Sequence, residues 1–125
     1  MTDLNLKGQI IIGLFRSYLN DDWNLLETNK STFEIRLGGL NSTTEKRSKD
    51  LSIDLPVIGK KIKTVKTDDH SIYFELENGE CLIHSDTFID ADGNIDFEFR
   101  LVDKTDFDIE RQEWYDSNND LKEIK

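Results

Sequence analysis

The sequence predicts an α+β fold, an N-terminal helix packed on an antiparallel β-meander of roughly four to six strands. Three observations lead there. Apolar residues recur at helical intervals between residues 4 and 19, the period drops to two from Phe33 onward, and Gly-containing turns separate the alternating runs. With 125 residues, 36 % of them hydrophobic, the chain fits a single domain spanning residues 1–125 with one modest core. Residues 117–125 form a polar tail that is expected to fray.

In the N-terminal segment Leu6, Ile10, Leu14 and Tyr18 fall four apart, with Ile11, Phe15 and Leu19 on the same broad stripe. Thr2 or Asp3 suits the N-cap, and Asn20-Asp21-Asp22 ends the run. Next, Trp23 and Leu25 are expected to pair with the alternating run Phe33, Ile35 and Leu37, through a turn at Thr28–Ser31 and a stop at Gly38-Gly39. The small polar residues between 39 and 52 suggest a mobile surface loop. The only proline, Pro56, and the following Gly59 suggest a turn or edge segment over residues 51–58.

The clearest patterning covers residues 60–102. A strand over 61–67 is followed by one in which Ile72, Phe74 and Leu76 face one way and Tyr73, Glu75 and Glu77 the other. Asn78-Gly79 is a strong hairpin signal, because a two-residue turn needs positive φ at both positions. Residues 80–85 then run back, Asp92-Gly93 turns the chain, and Ile95, Phe97, Phe99 and Leu101 alternate with Asp96, Glu98 and Arg100. Four antiparallel strands with one apolar face result, for the N-terminal helix to cover.

The net charge of −10 is unevenly placed. Residues 1–85 hold 11 Lys or Arg against 13 Asp or Glu, whereas residues 86–125 hold 5 against 13, a local −8. A single-sign surface attracts basic partners and repels nucleic acid and anionic lipid. A basic stretch between residues 43 and 66 (Lys46, Arg47, Lys49, Lys60, Lys61, Lys63 and Lys66 against three acids) lacks interleaved aromatics for base stacking, and a solvated face explains it. Within the acidic third, Asp103, Asp106, Asp108, Glu110, Glu113 and Asp116 surround Trp114 and Tyr115. Carboxylates accept charge-assisted hydrogen bonds from Arg and Lys, and Trp and Tyr supply anchor area, so these eight are the candidate partner-binding residues. The competing reading places the aromatics in the core with the acids merely outside.

Other chemistry finds little support. Asp90-Ala91-Asp92-Gly93 has its glycine fourth instead of sixth and Leu101 where a calcium loop needs Glu, so a turn explains it. The only soft metal ligands, His70, Cys81 and His84, have no zinc-site spacing. Cys81 and His84 are three apart on a strand and point to opposite faces, which separates a thiol from its base. No catalytic, cofactor or metal site is expected, and neither a nucleic-acid nor a membrane partner. One cysteine gives no disulfide framework and points to a reducing cytoplasm. The start Met1-Thr2-Asp3-Leu4 has no basic n-region, and no run approaches the ~20 apolar residues of a membrane span.

With its helix, meander and acidic tail, and with segments such as Ile58-Gly59-Lys60-Lys61-Ile62-Lys63-Thr64-Val65 and Ile72-Tyr73-Phe74-Glu75-Leu76-Glu77-Asn78-Gly79, the chain resembles small bacterial immunity proteins of the contact-dependent growth inhibition or polymorphic-toxin kind. The resemblance covers the chain in outline and rests on no single motif. It implies a cytoplasmic inhibitor that binds the toxin domain of a cognate effector, a nuclease with a basic cleft as the leading case. The alternative expectation is a non-catalytic regulatory or scaffold module, dimeric or not, that pairs through exposed strand edges.

Overall fold

The computed structural model describes residues 5–16, 24–36, 39–44, 51–67, 71–89, 95–103, 105–106 and 122–123. They form nine strands: β1 (Ile11–Arg16), β2 (Asn24–Thr28), β3 (Thr32–Arg36), β4 (Gly39–Ser42), β5 (Ile62–Thr67), β6 (Ile72–Leu76), β7 (Cys81–Ile89), β8 (Ile95–Val102) and β9 (Lys122–Glu123). Two antiparallel sheets result, one ordered β1-β2-β3-β4 and one ordered β8-β7-β6-β5-β9. The only helical backbone among the described residues is Leu51, in a 3-10 turn, and the pair 105–106.

The expected N-terminal helix is therefore absent, and the α+β assignment is corrected to an all-β one. The physical reason lies in β1. Its register against β2 shifts between Ile11 and Gly13, a β-bulge that inserts one extra residue. Ile11 and Leu14 consequently both face the core, at 0 % and 1 % exposure, while Ile12 is 46 % exposed. A bulged strand thus shows the i, i+3 spacing of a helix. The consecutive β-branched residues Ile10, Ile11 and Ile12 favour the strand. At Gly13 a Cβ would lie 2.6 Å from Cε2 of Phe15, whose ring lies over the bare backbone and would have to turn aside for any larger residue.

β2 and β3 form the expected hairpin, with Thr28 N–H donating to Ser31 O at 2.8 Å. β4 replaces the first part of the expected loop 39–52, pairing Leu40 with Ile35 and burying it. The 51–58 segment follows the edge of β1, where Ile53 N–H donates to Leu14 O at 2.8 Å. The four-strand meander β5-β6-β7-β8 has the expected order and direction. Nine strands in two sheets, instead of one meander of four to six, are the second correction.

The two sheets share a core. Ile11, Leu14, Leu26, Phe33 and Ile35 of the first pack with Ile62, Val65, Ile72, Phe74, Leu82 and Phe99 of the second. At one corner the sheets join, since Ile62 N–H donates to Gln9 O (2.9 Å) and Ile11 N–H to Lys60 O (3.0 Å). The outer face of the second sheet carries a smaller buried cluster of Tyr73, Cys81, Ile83 and Val102. The caps at Thr2 or Asp3 and Asn20–Asp22, Trp23, the basic residues Lys46, Arg47 and Lys49, His70, the turn at Asp92-Gly93 and residues 117–121 of the tail lie outside the described residues.

Candidate partner-binding surface

The β6–β7 hairpin sets one side of the candidate surface. Leu76 N–H donates to Glu80 O at 2.9 Å and Gly79 N–H to Leu76 O at 3.0 Å. Gly79 alone takes positive φ, 93°, so the loop is the three residues Glu77-Asn78-Gly79 and not a two-residue Asn-Gly turn. Asn78 Oδ1 accepts from Glu80 N–H at 3.0 Å and closes the turn. Glu77 is left exposed and Glu80 half-buried.

The β7–β8 register brings the acidic third to this hairpin. Cys81 pairs with Val102, so the next residues outward, Glu80 and Asp103, leave the sheet at the same end. Asp103 Oδ1 accepts from Asp106 N–H at 2.8 Å, an N-cap bond that holds the exposed Asp103 and Asp106 together where the backbone becomes helical. Lys60 forms an ion pair with Glu80. That bond is the main reason the Glu80 carboxyl titrates below the usual carboxylate range; the Asn78 amide helps, while partial burial and the Asp103 charge act against it. The exposed Lys61 adjoins, its carbonyl accepting from Glu77 N–H at 3.0 Å.

Two of the eight expected site residues, Asp103 and Asp106, thus sit together at one end of the second sheet. The other six, Asp108, Glu110, Glu113, Trp114, Tyr115 and Asp116, lie outside the described residues. Glu77 and Glu80 join the surface although they belong to the nearly neutral first 85 residues. Their one sequence signal is the hairpin itself, since a strand returning from Gly79 and paired again with β8 must end beside Asp103.

Elsewhere Cys81 and His84 point to opposite faces of β7. Cys81 packs with Tyr73, Ile83 and Val102, and His84 faces the shared core, where its ring stands edge-on to Phe99 with centroids 5.0 Å apart. Among the described residues no three His, Cys, Asp or Glu side chains converge as a metal site would require. None of their helices is long and apolar enough to cross a membrane.

The described residues define a nearly all-β, two-sheet arrangement with carboxylates grouped at one sheet end. Comparison with protein-family models, curated proteins and solved structures finds no match for the chain.

Proposed function

We propose that this chain is a non-catalytic binding protein that neutralises a basic protein, with the toxin domain of a cognate bacterial effector, a nuclease in the leading case, as the specific partner. The observation that carries the reading is the grouping of Asp103 and Asp106 with Glu80, on the hairpin that also carries the exposed Glu77. It extends the −8 of residues 86–125 onto a neighbouring hairpin. Among the described residues, Lys60 and Lys61 are the cations adjoining that group, and Lys60 is engaged by Glu80. Fixed carboxylates of this kind steer a Lys- and Arg-rich surface into contact and compete with the phosphates such a surface binds.

Co-expression with the protein encoded immediately upstream tests this. Cells carrying both should survive a toxicity that the neighbour alone produces, and the two proteins should co-purify. Absence of both protection and binding would remove the proposal. The second reading, a scaffold module that pairs through a strand edge, is favoured by the terminal position of β8 in its sheet. Binding indifferent to salt and to acid neutralisation would select it.

A further inference from the structure

The long edges of this fold are closed, with one exception among the described residues. The free side of β1 is taken by residues 52–60, through the Phe15–Ser52 bridge, Ile53 N–H to Leu14 O and Gly59 N–H to Ile11 O (2.7 Å). That of β5 is taken by residues 8 and 9 at one end and by β9 at the other. β4 is only four residues long. β8 is terminal in its sheet and eight residues long, and no described residue pairs with its outer side. Edges of this length invite pairing.

The hydrogen-bond phase of β8 follows from the hairpin. Leu76 bonds to Glu80, so Leu76/Glu80, Phe74/Leu82 and Ile72/His84 are the bonded pairs between β6 and β7. Cys81, Ile83 and Ser85 then turn their backbones toward β8, where they meet Val102, Arg100 and Glu98. The alternation leaves the N–H and C=O groups of Phe97, Phe99 and Leu101 directed away from β7. The irregularity between Ser85 and Phe88 advances three residues on β7 against two on β8, so the phase of β8 itself is unbroken.

A second copy adding antiparallel must match that phase, which restricts the two-fold centre. Centred on Phe97, the pairing sets Asp96 against Glu98; centred on Glu98, it sets Glu98 against itself; centred on Arg100, it sets arginine against arginine. Centring on Glu98 also brings Asp96 against Arg100, but at the cost of the Glu98 pair; within β8 only centring on Phe99 brings opposite charges together with no like charges opposed, Glu98 facing Arg100 at both symmetric positions. We propose that two copies of this chain associate antiparallel through the outer edges of β8, about a two-fold axis at Phe99, joining their sheets into one. The pairing is independent of the toxin-binding proposal. The net charge of −10 on each copy opposes it, so the dimer is weak and concentration-dependent.

Sedimentation velocity of the full chain over a concentration series is the test. The wild type should show a monomer–dimer equilibrium. Glu98→Arg and Arg100→Glu should each raise the dissociation constant about tenfold or more, and the double exchange should restore it. Amide exchange followed by NMR provides a readout on the unaltered chain: Phe97, Phe99 and Leu101 should gain protection as the dimer forms, while Glu98, Arg100 and Val102 are protected throughout. A monomer at every concentration, a dimer indifferent to the single reversals, or Phe99 exchange unchanged on dimerisation would each overturn the proposal.

Discussion

Asn24 Nδ2 donates to His84 Nε2 at 2.8 Å, a buried hydrogen bond that ties β2 of one sheet to β7 of the other. The two residues are 1 % and 0 % exposed. With the amide in this orientation its nitrogen donates and Nε2 accepts. Each group meets a polar need the other would otherwise suffer in an apolar core. Asn24→Leu and His84→Leu should each cost about 1–3 kcal/mol in chemical denaturation, and the double substitution should cost less than their sum.

Burial holds the His84 pKa down to about 4 from a usual 6.5. The folded protein therefore binds fewer protons at this site than the unfolded chain does between those values. The site's contribution is complete above about pH 6.5 and is lost as pH falls toward about 4, a loss of about 3 kcal/mol. Carboxylates titrate in the same window, so the measurement is a difference. Unfolding free energy of the wild type minus that of His84→Gln, followed from pH 7 to pH 4, should fall by this amount. A flat difference would refute the assignment.

The bulge in β1 makes a contrast between adjacent residues. Ile11→Ala should destabilise by about 2–4 kcal/mol, because Ile11 is fully buried among both sheets. Ile12→Thr should stay within about 0.5 kcal/mol, since its side chain is 46 % exposed and threonine suits a strand. Thermal or urea unfolding of the two variants checks the pair.

At the hairpin tip, Gly79 has φ of 93°, a conformation that strains any residue with a Cβ. Gly79→Ala should lower stability by about 1–2 kcal/mol and displace Glu80 from Lys60. In an NMR titration the Glu80 carboxyl of that variant should move up toward the ordinary carboxylate range, because the Lys60 bond is the main cause of its lowered value.

Which parts of this structure were legible in the sequence depends on where the strand period runs uninterrupted. Ile72, Phe74 and Leu76 alternate without a bulge, and β6 lies where their pattern places it. In β1 an extra residue converts two-residue spacing into three, so Ile11 and Leu14 imitate one face of a helix. The same device occurs in β5, where Ile62 and Val65 are both fully buried across a register shift. There the surrounding Lys and Thr residues kept the strand readable. β4 was invisible because Leu40 is the one apolar residue in Gly39-Leu40-Asn41-Ser42. For the surface, Asp103 and Asp106 were legible from charge along the chain. Glu77 and Glu80 were not, because their neighbourhood is set by the β7–β8 register and not by sequence distance.

The central proposal concerns the acidic sheet end, and isosteric neutralisation tests it with little disturbance to the fold. Asp103→Asn keeps the side-chain oxygen that accepts from Asp106 N–H, and Glu77 and Asp106 are exposed. The decisive measurement is calorimetric titration of the upstream-encoded protein into the wild type and into the triple variant Glu77→Gln, Asp103→Asn, Asp106→Asn at low and high ionic strength. The expected result is binding that weakens about tenfold or more in the triple variant and weakens with salt in the wild type. Equal affinity of both proteins, at both ionic strengths, would contradict it.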